Sequence, residues 1–194
     1  MTKAFPGYYT PSAGFEVPLE MLAACHLRLE AQCDTLRRLV PHVATHGADQ
    51  QARDAASAIV RYFDTSARHH HADEEVDLFP ALIESMAGSD AVCLRDLAAS
   101  LSADHREREH RWRHLRPALE QVASGDAAAL AADEVQAFVG LYERHIAREE
   151  AELLPVAKRL LGDAELDRIG LAMRARRDSF KAEPLDQPSE SSNA

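Results

Sequence analysis

The chain has 194 residues, 46 % hydrophobic and 28 % charged, enough for one domain with a closed core and a tail. A formal charge of −10 argues against a nucleic-acid partner, since phosphate contacts need a basic patch. No uncharged apolar run is long enough to span a membrane.

Residues 1–16, "MTKAFPGYYTPSAGFE", carry Pro6, Gly7, Pro11 and Gly14 among aromatics, and read as an extended N-terminal arm. They lack the basic then apolar pattern of a secretory leader. Three cysteines, Cys25, Cys33 and Cys93, without metal-finger spacing suit reduced thiols, so a cytoplasmic protein is expected.

From Pro18 the pattern turns helical. Leu19, Leu22, His26, Leu29, Cys33, Leu36 and Val40 recur at intervals of three and four, and Gly47 ends the segment. A second helix is expected from an Asp49 cap to about Met86, with Ile59 and Phe63 in phase. A third starts after Ser89 or Asp90, carries Leu94, Leu97, Leu101, Trp112, Leu115 and Leu119, and stops near Gly125. The fourth carries Val135, Phe138 and Leu141 and ends near Gly162. Residues 163–180 form a short fifth helix, and 181–194 a polar tail expected to be disordered. With no β-signal present, the expected fold is all-α. Residues 17–162 form an up-down-up-down four-helix bundle between the arm and the C-terminal helix. Pro41, Pro80, Pro117 and Pro155 fall within the helices or near their ends, where kinks or frays are expected.

An internal repeat is visible between "HHADEEVDLFP" (70–80) and "HIAREEAELLP" (145–155), 75 residues apart. It pairs His70 and Glu74 with His145 and Glu149. Spacing of four stacks an imidazole and a carboxylate on one helical face, where both can hold one cation. Both pairs lie in phase with the apolar stripes, His70 with Ile59 and Phe63, His145 with Phe138 and Leu141. A carboxylate is costly on such a face unless it is paired or coordinates metal. His26 and His105 share the inward stripes of the other two helices. Four imidazoles and two carboxylates from four helices make a dinuclear site of mixed nitrogen and oxygen donors. Glu74 and Glu149 are placed to bridge two cations, with Fe, Mn or Zn suited to the set.

A single inward histidine is more often a satisfied core residue than a ligand. The duplicated, in-phase pairs decide otherwise for the set. His69, His71, His110 and His114 fall off the stripes and are expected to stay outside the site, while His42 and His46 sit near a helix end. Glu30 and Glu109 lie four after His26 and His105 and are open as supporting or additional ligands. Glu75 and Glu150 are expected to pair with arginines, and Cys25 and Cys33 to fill core space.

These residues, His26 in "ACHLRLE", His105 in "ADHREREHRW" and the doubled His-x-x-x-Glu-Glu followed by proline, resemble the hemerythrin-like family, the HHE cation-binding domain. The resemblance covers about residues 17–160. It implies a four-helix bundle around two non-haem irons, oxo- or hydroxo-bridged, with open positions for O₂, NO or peroxide. The oxygen-carrying members have a second histidine one turn along helix 3 and an aspartate five after the helix 4 histidine. Here Glu109 holds the first place, and Glu149 follows His145 by four. The site is thus more similar to the iron-centre repair and stress-response branch. With His26 so near the start, a stand-alone bundle without a cysteine-bearing N-terminal domain is expected.

The function expected from this resemblance is binding of O₂, NO or peroxide in sensing, scavenging or iron homeostasis. The alternative is a di-iron enzyme with peroxidase, catalase-like or ferroxidase activity, so enzymatic status stays open. A third reading is a structural bundle holding only zinc or adventitious metal. The partners expected are small diatomic ligands or peroxide, with no nucleic acid and no membrane; monomer and homodimer are both open.

Overall fold

The computed structural model describes residues 14–86, 90–126 and 129–182. The expected arm lies outside these apart from residues 14–16, and the expected tail apart from 181 and 182.

Helix α1 spans Pro18–His46, with proline in the first turn, where its missing N–H costs nothing, and Glu20 favourable to the helix dipole. It closes at Gly47, whose φ of +67° suits a residue without Cβ and whose N–H donates to Val43 O. Helix α2 (Gln50–Asp64) starts where the Asp49 side chain accepts from Ala52 N–H at 2.8 Å.

The second rod does not run unbroken to Met86. It interrupts at Thr65, whose hydroxyl donates to Arg61 O at 2.7 Å, a back-bond of the kind that bends helices. It continues as α3 (Ser66–Ala72), a π-helical segment (Asp73–Leu78) and α4 (Phe79–Ser85). The third rod is α5 (Asp90–Ser124). The fourth is α6 (Ala132–Arg148), a π-helical segment (Glu149–Leu153) and α7 (Leu154–Leu160). Helix α8 (Asp163–Ala182) follows, and among the described residues there is no strand. None of the described helices is long and apolar enough to cross a membrane.

The two π-helical segments sit at equivalent places in the repeat, each ending one residue before a Phe-Pro or Leu-Pro pair. Phe79 N–H donates five residues back to Glu74 O, and Leu154 N–H to Glu149 O. A proline ring in an α-helix collides with the carbonyl four residues back. The wider turn makes room for Pro80 and Pro155. The kinks expected at these prolines therefore take the form of π turns, whereas Pro41 and Pro117 are carried inside α1 and α5.

The four rods form an up-down-up-down bundle, with α1 packed on α2 and α6, and α5 packed on α2 and α6. Its core is split in two. One cluster gathers Leu29, Leu36, Ile59, Phe63, Trp112, Leu119 and Phe138 around a set of aromatic contacts, with Phe63 ring centroids 5.0 Å from Trp112 and 5.2 Å from Phe138. The other gathers Leu22, Leu78, Leu82, Leu101, Leu153, Ile169 and Met173. Where the two clusters meet, every rod contributes buried polar residues: His26, then His70, Asp73 and Glu74, then His105 and Arg108, then His145 and Glu149. The division of the core thus marks a buried polar layer.

Helix α8 closes this layer from one side. Ile169 and Met173 are buried in the second cluster. Arg177 Nη2 donates to Asp73 Oδ2 at 2.6 Å, Arg176 also binds Asp73, and Arg176 Nη2 donates to Asp77 Oδ2 at 2.6 Å. Asp73 has 0 % exposure, so these guanidiniums are what makes its burial tolerable. Gly170 sits where a Cβ would meet Phe15 O at 1.9 Å, so a side chain there would push Phe15 off α8.

Candidate metal centre

His26, His70, Glu74, His105, His145 and Glu149 all lie in the polar layer, none more than 4 % exposed. The structure brings all six together as two four-residue groups, each able to surround one cation. One is His26, His70, Glu74 and Glu149; the other is Glu74, His105, His145 and Glu149. Both glutamates belong to both groups.

The oxygens divide accordingly. Glu74 Oε1 is 3.3 Å from His70 Nε2, and its Oε2 is 3.3 Å from His105 Nε2. Glu149 Oε2 is 3.0 Å from His26 Nε2, and its Oε1 is 2.8 Å from His145 Nε2. Each carboxylate thus spans the two groups, one oxygen to each. These approaches are close without being well-aligned hydrogen bonds. His26 Nε2, both ring nitrogens of His70, Glu74 Oε2 and both oxygens of Glu149 are buried without a hydrogen-bonding partner. So many orphaned donor atoms converging in a dry layer are costly by themselves, and cations would satisfy them. The residues present fit a cation-binding site.

Burial sets their protonation. It drives the His70 imidazole well below its usual range, helped by the neighbouring His26. His105 falls to about 2 through burial and the nearby Arg108 charge. The neutral imidazoles that result are the form that binds metal. Burial and the adjacent Glu149 carboxylate push Glu74 well above its usual range. Burial alone would raise Glu149 too, but the His145 and His26 contacts outweigh it and hold Glu149 well below its usual value.

Carboxylates also hold the outer ring nitrogens. Glu75 Oε1 is 2.6 Å from His105 Nδ1, and Glu150 Oε1 is 3.2 Å from His26 Nδ1. Asp104 Oδ2 is 3.4 Å from His145 Nδ1. An acceptor at Nδ1 places the proton there and turns the Nε2 lone pair inward. This corrects the expectation that Glu75 and Glu150 pair with arginines: each reaches across to a histidine of a neighbouring rod. Each Glu-Glu pair grips one imidazole by both nitrogens, Glu74 and Glu75 holding His105, Glu149 and Glu150 holding His26.

Glu30 is exposed, and Glu109 pairs with Arg68 at 3.1 Å, so neither joins the two groups. His110 and His114 meet edge to face at the surface. His42 Nε2 lies 3.0 Å from Asp49 Oδ1 near the end of α1. His71 departs from expectation in part. It is in neither group, yet its ring stacks on His105 at 4.2 Å and 13°. A cleft of about 630 Å³ lined by Arg68, His71, Glu75, His105 and Arg106 opens at that edge.

Sequence reasoning missed Arg108. It is 1 % exposed, and its Nη2 donates to His145 Nε2 at 2.9 Å. Its Cζ lies 4.7 Å from the Tyr142 ring centroid. The signal was present in its phase, since Leu101, His105, Arg108 and Trp112 step by four, three and four.

The family described as the hemerythrin HHE cation binding domain matches residues 17–157, all six candidate ligands included. An uncharacterised protein of Haemophilus influenzae is 31 % identical over 165 residues, covering 85 % of this chain and 92 % of that protein.

Proposed function

This chain belongs to the hemerythrin HHE cation-binding family, and on that premise we propose that it is a non-haem di-iron protein that binds O₂, NO or peroxide. One iron would be held by His26 and His70, the other by His105 and His145, with Glu74 and Glu149 shared between them. The observation that carries this reading is the division of each glutamate's two oxygens between two histidine groups. A single cation would leave half of those atoms unused.

Iron so held would supply open coordination positions and electrons for a small ligand. The chain's own part is to orient and to exclude. Glu75, Glu150 and Asp104 fix three imidazole tautomers, and the two apolar clusters limit water above and below the layer. The imidazole lone pairs and the shared carboxylates are what would offset the cost of taking cations out of water. A cytoplasmic location belongs to the proposal, supported by three free cysteines, two of them buried.

Metal analysis with absorption spectra before and after dithionite and NO tests this reading. About two irons per chain, near-ultraviolet oxo-bridge bands and an NO adduct on the reduced protein are expected. Colourless protein after aerobic iron loading would favour zinc instead. Sustained product formation from peroxide or ferrous iron, in place of stable adducts, would favour an enzyme.

A further inference from the structure

The polar layer has approximate twofold symmetry, which relates His26 to His105 and His70 to His145. Arg108 breaks it. Its equivalent on the first rod, three residues after His26, is Leu29, a buried apolar residue. Likewise Tyr142, against which Arg108 stacks, is matched by Ala67 across the repeat. The guanidinium and phenol ring beside the His105/His145 half therefore have aliphatic counterparts at the equivalent positions of the other half.

The guanidinium is poorly satisfied. Its Nε and Nη1 are buried without a hydrogen-bonding partner, and Nη2 donates only to His145 Nε2. That acceptor is the same lone pair His145 would give to a cation. A cation there would leave the whole guanidinium fork without acceptors at 1 % exposure. The charge balance points the same way. Two divalent cations against Glu74 and Glu149 leave the layer positive, and Arg108 adds to it. Glu75, Glu150 and Asp104 stand at the rim, partly exposed and screened by water. A buried cation with free donors is stable only beside an anion.

We propose that Arg108 is a specificity-determining residue that makes the His105/His145 half of the centre a receptor for a small monoanion. Suitable ligands have adjacent acceptor atoms and little bulk, in the class of hydroperoxide, azide or nitrite. Nε–H and Nη1–H would donate to the anion, and the Tyr142 ring would hold the guanidinium plane in place. A neutral diatomic gains little from these donors, so the centre discriminates by charge. The inference rests on the metal reading of the same residues.

The test is a calorimetric titration of sodium azide into iron-loaded full-length protein, with anaerobic NO binding as the neutral control. Azide affinity should fall about tenfold or more in Arg108→Met, the loss expected for a charge-assisted hydrogen bond. NO affinity should stay within about twofold. Arg108→Lys, which keeps a charge but not the fork, should recover part of the azide affinity. Azide binding unchanged in Arg108→Met, or equal losses for azide and NO, would overturn the proposal. So would loss of iron from both variants, which would make Arg108 a structural support. Wild-type protein that takes up no iron would instead overturn the metal reading itself, a result separable by metal analysis alone.

Discussion

Glu75 Oε1 lies 2.6 Å from His105 Nδ1, reaching from the second rod to the third. The bond fixes the imidazole so that its other nitrogen faces the buried layer, where Glu74, the preceding residue, meets it. Glu150 and Glu149 repeat the arrangement on His26. Two consecutive glutamates thus hold both edges of one ring, which explains why the repeat carries a Glu-Glu pair.

Removing the outer carboxylate should loosen metal without unfolding the bundle. Glu75→Ala is expected to weaken iron binding by about 10–100-fold, the usual cost of losing a partner that orients a ligand histidine. Chelator competition measures it, with circular dichroism as the control. An unchanged affinity would mean that the His105 orientation is set elsewhere.

The shared glutamates and the single histidines should differ in stoichiometry. Glu149→Ala, which removes a donor from both groups, should cost both ions, while His70→Ala should empty mainly the His26/His70 position. Iron content per chain after desalting decides between them. Loss of a single ion in Glu149→Ala would argue against sharing.

Metal uptake should release a proton. Burial beside Glu149 raises the Glu74 carboxyl well above its usual range and so favours the protonated form, from which a cation displaces the proton. His70 and His105 contribute none, because burial already holds them neutral. Apparent affinity should therefore rise with pH until the raised Glu74 value is passed, with a proton released on binding below it. Calorimetry in buffers of different ionisation enthalpy counts it. Affinity that falls as pH rises would contradict the assignment.

The α8 clamp should matter to stability. Replacing Arg176 and Arg177 together by alanine leaves Asp73 buried without a partner, at a cost of about 3–5 kcal/mol. Adding Asp73→Asn should restore part of that loss. Urea denaturation of the metal-free protein measures both, and no change in the double arginine variant would show that Asp73 relaxes to water.

Much of this was legible in the sequence, for identifiable reasons. Apolar residues at three- and four-residue intervals marked the four rods. The duplicated His-x-x-x-Glu, in phase with those residues, marked the inward faces of His70, Glu74, His145 and Glu149. His26 and His105 followed from the same periodicity. Glu75 and Glu150 were misread because their partners lie on other helices, and helical phase says nothing about which neighbour a half-exposed side chain can reach. Arg108 was hidden by composition: within "HREREHRWR" it looks like one more solvated charge, although its spacing from His105 and Trp112 places it inside. The π turns were beyond reach because an i to i−5 ladder has no sequence period of its own. The prolines located them without revealing their form.

The most direct measurement is a crystal structure of the iron-loaded protein with anomalous data at the iron edge. Two peaks are expected, one within bonding distance of His26 and His70 and one of His105 and His145, with Glu74 and Glu149 each reaching both. A single peak, or peaks held by other side chains while those six stay unligated, would contradict it.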